Sequence, residues 1–92
     1  MKVIFSQPAA IAIRTLPDDE RAVVSSWCQH LENWEIDSFI QKQTHRLSSD
    51  EAVYVLRTSS DIRIFFTLQK EHIVVLDIAR RSALQSFAAP VN

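Results

Sequence analysis

Three segments rich in apolar and β-branched residues follow one another closely in the second half of the chain. They span residues 53–58, 61–69 and 73–79, and the connections between them, at residues 59–60 and 70–71, are short. Such segments are typical of β-strands. Links this short cannot carry the crossover that parallel neighbours need, so successive strands must form hairpins. The pattern therefore predicts an antiparallel meander, and this constrains the fold more than any other feature.

The residue pattern within these strands predicts how the sheet is buried. Residues 73–79 are apolar on both faces except at Asp77, which favours a central strand. In residues 61–69 apolar and polar side chains alternate, as expected for a half-buried strand, and Phe65 is the one intrusion. The apolar set is Ile62, Ile64, Phe66 and Leu68, and the polar set is Arg63, Thr67 and Gln69.

The first half of the chain predicts one strand and two helices. Residues 2–5 are apolar and β-prone, and Ser6 before Gln7-Pro8 is a good N-cap for a helix over 7–15. A second, amphipathic helix is predicted over 18–34, with acidic residues in its first turn. The pattern of residues 39–47 left a strand, an extended arm and a frayed helix end open. The expected core is Val23, Val24, Trp27, Leu31, Ile64, Phe66, Val75 and Leu76.

This order of elements predicts an α+β fold of two layers in a single domain over residues 1–92. The topology is β-α-α-β-β-β(-β), with two helices packed on a mainly antiparallel sheet. Both helices cover the same face of the sheet. We therefore expect the other face to be free to meet a partner or a substrate.

Composition excludes several classes of function. The chain has 92 residues, no glycine and a single cysteine, Cys28, so a Gly-rich phosphate loop and an internal disulfide are both impossible. His30, His45 and His72 lack metal-ligand spacing, and we expect neither a metal nor another cofactor. There is no run of 18 apolar residues and no signal-peptide pattern, so we expect no membrane span and a cytoplasmic protein.

Charge is distributed unevenly, although the formal net charge is only −1. Residues 1–40 carry three basic and six acidic side chains, and residues 41–92 carry seven basic and five acidic ones. The meander should bring arginines from the ends of its strands to one end of the sheet, where they would suit a phosphate group. The alternative is a set of solvated strand ends. The candidate phosphate-binding residues are Arg57, Arg63, Arg80 and Arg81, with Lys42, His45 and Arg46 just before the meander.

The order and spacing of short motifs resemble the RelE/ParE superfamily of bacterial toxins from type II toxin–antitoxin modules. The resemblance covers about residues 2–87 and is RelE-like in its basic positions. It depends on Ser6-Gln7-Pro8-Ala9, Leu16-Pro17, Leu31-Glu32, His45-Arg46-Leu47 and the three strands at 53–57, 62–66 and 73–81.

The resemblance implies a metal-independent endoribonuclease that cuts mRNA on the ribosome and so inhibits translation. Residue by residue, it assigns Arg63 and Arg81 to the scissile phosphate. His45 or Arg46 falls near the position of the family's lysines, so these two are further catalytic candidates. Arg57, Arg80 and Lys42 would bind RNA phosphates. Phe87 stands where the RelE branch often has a tyrosine that helps to move a proton.

The implied partners are a cognate antitoxin in a heteromeric complex, the ribosome and mRNA. Two alternatives stay open at this point. One is a non-enzymatic, ParE-like toxin that inhibits DNA gyrase, which the acidic balance favours. The other is a degenerate, inactive toxin that only binds its antitoxin.

Overall fold

The computed structural model describes residues 1–47 and 52–83, and the position of Phe87 lies outside these ranges. The fold class predicted from sequence is confirmed: helices pack on a five-stranded, mainly antiparallel sheet. The elements in chain order are β1 (Lys2–Phe5), α1 (Gln7–Thr15), α2 (Asp18–Leu31), α3 (Ser38–Lys42), β2 (Thr44–Arg46), β3 (Val53–Arg57), β4 (Ile62–Leu68) and β5 (His72–Arg80).

The strand order across the sheet is β1-β5-β4-β3-β2. β2 to β5 pair antiparallel with their chain neighbours, which confirms the predicted meander. β1 pairs in parallel with β5, so the long apolar strand β5 is central, as its two-sided hydrophobicity indicated. Within the described residues, no helix is long and apolar enough to cross a membrane.

Ser6 links the first helix to the sheet. Its Oγ accepts a hydrogen bond from the Ala9 amide at 3.2 Å and so caps α1. The same hydroxyl donates to the carbonyl of Leu76 in β5 at 2.7 Å. One side chain therefore fixes both the start of α1 and its position against the central strand.

The second helix ends at Leu31, three residues before the predicted end. The amides of Asn33 and Trp34 bond to carbonyls three residues earlier, which tightens the last turn and closes the helix. This turn brings the Trp34 ring onto Phe66 and Tyr54, with ring centroids 5.7 and 6.2 Å apart. The end of α2 and the aromatic contact with the sheet therefore occur together.

Residues 39–47 contain a strand, which their sequence had left open, and most of a third helix, which was not predicted. Asp37 caps α3 by accepting a hydrogen bond from the Ile40 amide at 3.1 Å, and Ile40 is fully buried. The chain then enters β2, where Thr44 pairs with Leu56. A helix of five residues is too short to produce a clear apolar periodicity, so the sequence did not reveal it.

The core lies between the sheet and all three helices. Its expected members Val24, Leu31, Ile64, Phe66 and Val75 are buried. The prediction of full burial is wrong for Val23, Trp27 and Leu76, which are half-buried. Trp27 stacks on the exposed ring of Phe39 at the margin of the helical layer, at a centroid distance of 5.9 Å. The buried hydrophobic cluster is Ala9, Val24, Cys28, Leu31, Ile40, Leu56, Ile62, Ile64, Phe66, Ile73, Val75 and Ile78.

A β-bulge at Leu76 changes which face of the sheet the end of β5 presents. Phe66 pairs with Val75, but Phe65 pairs with Asp77, so Leu76 is an extra residue in the ladder. Without the bulge, the alternation would bury Asp77 and expose Ile78. With it, Ile78 is buried and Asp77 is exposed.

Candidate functional site: an arginine cluster on the far face of the sheet

The sheet face opposite the helices, called the far face below, carries the charged residues of the meander. Ile62, Ile64 and Phe66 of β4 are buried on the helical side, so Arg63 and Phe65 between them project to the far face. Directly paired residues of antiparallel strands share a face. The ladder therefore places two rows there: Arg57, Arg63 and Ala79, and beside it His45, Val55, Phe65 and Asp77.

Three arginines come together at one end of this face, and we call Arg57, Arg63 and Arg81 the arginine cluster. Arg57 and Arg63 are direct partners in the β3–β4 ladder. Arg81 follows β5, and its amide donates to the carbonyl of Asp61 at 2.6 Å. Burial lowers the pKa of Arg63 below its ordinary value, and the positive charges of Arg81 and Arg57 lower it further. The guanidinium group of Arg63 is thus close enough to those of Arg81 and Arg57 to be repelled by both, and the Asp61 carboxylate offsets part of this repulsion.

The turn that joins β3 to β4 holds Arg63 in place. Nη1 of Arg63 donates to the carbonyls of Ser60 and Ile62, each at 3.0 Å. The buried Thr58 hydroxyl donates to the Ile62 carbonyl at 2.7 Å and accepts from the Ser60 amide at 3.2 Å. Hydroxyl groups therefore stabilise this turn, which contains no glycine, and Arg63 is positioned before any ligand arrives.

This arrangement suits an oxyanion with more than one acceptor atom. Arginine stays protonated in proteins and offers five N–H donors in a planar fork, which matches phosphate oxygens. Like charges directly opposed across strands are unfavourable for folding. A bound anion would remove that repulsion, so the cluster favours a phosphate group over a neutral ligand.

Arg80 does not join the cluster. The bulge turns it to the helical side, where both of its terminal nitrogens donate to the carboxylate of Glu20 in α2. This ion pair raises the pKa of Arg80 above its ordinary value. The placement corrects the expected convergence of Arg80 with the other arginines, because adjacent residues of a strand end point to opposite faces.

The three basic residues before the meander are dispersed. His45 pairs with Val55, so it lies on the far face diagonally next to Arg57. Arg46 pairs with Tyr54 and belongs to the helical side. Lys42 is exposed on α3. Of the predicted site residues, the structure thus groups Arg57, Arg63 and Arg81, sets His45 beside them, and places Arg46 and Lys42 elsewhere.

Phe65 is a far-face residue that the sequence analysis noted only as an interruption. It is half-buried and lies two residues from Arg63 on the same strand face. Strict alternation along β4 was the signal that places an aromatic ring beside the arginines. Asp77 shares this row, and its Oδ1 accepts a hydrogen bond from the Ile78 amide at 2.8 Å.

A cavity on the other side of the sheet is apolar. It measures about 590 Å³ between β1, α1 and α2, and Val3, Ile13, Val24 and Cys28 are among its lining residues. Burial raises the pKa of the Cys28 thiol to about 11, so it is not a nucleophile at neutral pH. Within residues 1–47 and 52–83 no three metal-ligating side chains cluster. Among the described residues, the arginine cluster is therefore the best candidate for a functional site.

Comparison with known proteins finds similarity in structure but not in sequence. No family model matches the chain, and no curated protein matches it. Solved structures match over most of their length. The isolated RelE toxin of Escherichia coli superposes with a TM-score of 0.68 at 17% identity, covering 97% of this chain and 95% of that one.

Two further structures extend this likeness. A chain of the RelBE2 toxin–antitoxin complex of Mycobacterium tuberculosis gives a TM-score of 0.70 at 18% identity, covering 87% of this chain and 96% of that one. YafQ of Escherichia coli gives 0.59 at 12% identity, with coverages of 90% and 96%. At these identities the likeness establishes the fold. The chain has the fold of the RelE toxins, as its sequence motifs indicated.

Proposed function

We propose that this chain is the toxin of a type II toxin–antitoxin module and inhibits translation by cleaving mRNA on the ribosome. The observation that carries the proposal is the arginine cluster, formed on the sheet of a RelE fold. A cluster of fixed cations is what phosphodiester cleavage without a metal requires, because negative charge accumulates on the phosphate in the transition state.

The proposed reaction uses the substrate's own ribose as the nucleophile. The 2′-oxygen forms a new bond to phosphorus as its proton leaves, and the bond from phosphorus to the 5′-oxygen breaks, leaving a 2′,3′-cyclic phosphate. The 5′-oxygen takes up a proton. Arg63 and Arg81 would orient the phosphate and stabilise its charge, with Arg57 as a third contact.

His45 is our candidate for proton transfer. It is the one predicted site residue whose side-chain type commonly exchanges protons near neutral pH. Its position diagonally next to Arg57 on the far face supports this role. No metal or organic cofactor takes part in the proposed reaction.

The proposed partner is a cognate antitoxin with an acidic segment that covers the arginine cluster. The M. tuberculosis chain and several other structural matches come from toxin–antitoxin complexes. We expect the affinity to fall as salt rises, because charge pairs at the cluster would contribute to it. The proposed location is the cytoplasm, where ribosomes are found.

One observation favours a second candidate function. The net charge of −1 is low for a protein that binds the ribosome. A ParE-like toxin that inhibits DNA gyrase without enzymatic activity would not need a basic surface. An inactive chain that only binds an antitoxin is the remaining possibility.

Expression without an antitoxin tests these alternatives. We expect growth arrest, with incorporation of labelled amino acids falling before that of labelled thymidine. Arg63→Ala should relieve the arrest, because losing one charge-stabilising donor costs roughly 100-fold or more in rate. Arg14→Ala, on α1 away from the cluster, is the matched control and should remain toxic. Arrest with continued translation and altered plasmid supercoiling would support the gyrase alternative, and absence of arrest would support the inactive one.

A further inference from the structure

Phe65 and Phe66 are adjacent, yet the structure uses them in opposite ways. Phe66 is fully buried, stacks on Tyr54 at a centroid distance of 5.6 Å and meets Trp34 edge-on. Phe65 lies on the far face, remains half-buried, and takes part in none of the ring contacts formed among the described residues. Packing in the core therefore explains why residue 66 is a phenylalanine, but it does not explain why residue 65 is one.

The position of Phe65 relative to the arginine cluster is set by strand geometry. Residues two apart on a strand project from the same face at a spacing of about 6.6 Å. Phe65 is thus the next far-face residue after Arg63 along β4, and its cross-strand partner Val55 is two residues from Arg57. A flat apolar side chain therefore projects from the strand position next to Arg63 and diagonally next to Arg57.

The two features match the two halves of a nucleotide. A phosphate on the arginine cluster is joined through one ribose to a base, and the base needs a flat apolar surface within the length of that sugar. Aromatic side chains beside a positively charged groove are the usual platforms on which single-stranded bases stack. Stacking also supplies affinity that charge alone does not, which matters for a chain whose net charge is −1.

We propose that Phe65 is a stacking platform for an unpaired RNA base whose phosphate contacts the arginine cluster. The inference depends on the proposed function, because it assigns a base subsite to the same RNA substrate. Stacking tolerates any base, since each has a π-face, and it requires that the base be unpaired. The site therefore selects single-stranded over double-stranded RNA and does not read base identity through Phe65.

Binding of a short oligoribonucleotide to the full-length protein tests this at low salt. The probe is a fluorescently labelled single-stranded pentaribonucleotide, measured by anisotropy. Phe65→Leu should weaken its binding roughly 5- to 100-fold, and Phe65→Trp should retain it. Phe39→Leu is the matched control, because Phe39 is an exposed aromatic residue on α3. The RNA affinity of this variant should equal that of the wild type.

A change in the RNA provides a test that does not depend on the folding of a variant. An abasic nucleotide at one position of the pentamer should weaken wild-type binding as much as Phe65→Leu does. The two changes together should cost no more than either one alone, since both remove the same contact. RNA should quench the tryptophan fluorescence of Phe65→Trp more than that of the wild type, which contains only Trp27 and Trp34.

Three results would overturn the inference. Equal affinity of Phe65→Leu and wild type would do so, as would full additivity of the abasic and Phe65→Leu changes. Absence of binding by the wild type would also overturn it. In each case ribosome-dependent growth arrest by the wild type, relieved in Arg63→Ala, would leave the proposed function standing. If the wild type bound the oligonucleotide as expected but caused no growth arrest, the base subsite would be supported and the proposed function would fail.

Discussion

Replacing Arg57 with glutamine is expected to stabilise the fold while it weakens the function. Arg57 and Arg63 are direct cross-strand partners, and the positive charge of Arg57 already lowers the pKa of Arg63. Arg57 is the informative position, because its guanidinium forms no side-chain hydrogen bond among the described residues, whereas that of Arg63 donates to two carbonyls. Arg57→Gln thus removes a repulsion and leaves the turn intact.

The size of the effect follows from the pairing. Like charges directly opposed across antiparallel strands cost about 0.2–1 kcal/mol. For a domain of this length, 1 kcal/mol corresponds to about 4–8 °C in Tm. We therefore expect Arg57→Gln to melt about 1–8 °C above the wild type in low-salt buffer.

Thermal unfolding followed by circular dichroism measures this directly. Arg57→Lys is the matched control, because it keeps the charge and should show little of the gain. In 1 M salt, where the Debye length is about 3 Å, the difference between Arg57→Gln and wild type should nearly vanish. A lower Tm for Arg57→Gln at low salt, or a gain that salt does not reduce, would refute the reasoning.

Other predictions concern the core, the cysteine and the cap of α3. Phe66→Ala should cost about 3–5 kcal/mol in urea unfolding, whereas Phe65→Ala should cost much less, and equal losses would contradict the assigned faces. Cys28 should react with iodoacetamide roughly 100-fold more slowly in the native protein than in denaturant, because burial raises its pKa to about 11, and equal rates would show an exposed thiol. The hydrogen bond from the Ile40 amide, with His30 as a second cause, lowers the pKa of Asp37 below its ordinary value of 3.8. That carboxylate therefore contributes stability above pH 3.8 that is lost as pH falls through its folded-state pKa, so Asp37→Ala should be less stable than wild type at pH 7 and nearly equal to it at the lowest pH that permits folding.

The sheet was largely predictable because its signals are local. Short links require hairpins, and alternation along residues 62–68 decides which side chains face the helices. The same alternation places Arg63 on the far face. Arg57 and Arg63 flank one hairpin turn, so their proximity also followed from the sequence.

The face that the end of β5 presents was not predictable, because no local pattern in the sequence marks the bulge. The extra residue at Leu76 reverses the alternation, and its carbonyl is bonded by Ser6, 70 positions earlier. The ion pair between Arg80 and Glu20 spans 60 positions. No local pattern links the two residues of either pair, so the sequence alone grouped Arg80 with the other arginines.

The helical layer illustrates the same limit on a smaller scale. Periodicity identified α1 with its observed bounds, Gln7–Thr15, because cap and proline both mark its start. It extended α2 beyond Leu31, since Trp34 continues the apolar spacing. Only the backbone hydrogen bonds of Asn33 and Trp34 show that the helix has already ended.

The most direct test of the central claim is primer extension on mRNA recovered from ribosomes after induction without antitoxin. The account predicts new 5′ ends within the coding region for the wild type. These should be lost or strongly reduced in the double variant Arg63→Ala, Arg81→Ala, and unchanged in Arg14→Ala. Growth arrest with intact ribosome-bound mRNA, or cleavage that persists in the double variant, would contradict the claim that the arginine cluster carries out RNA cleavage.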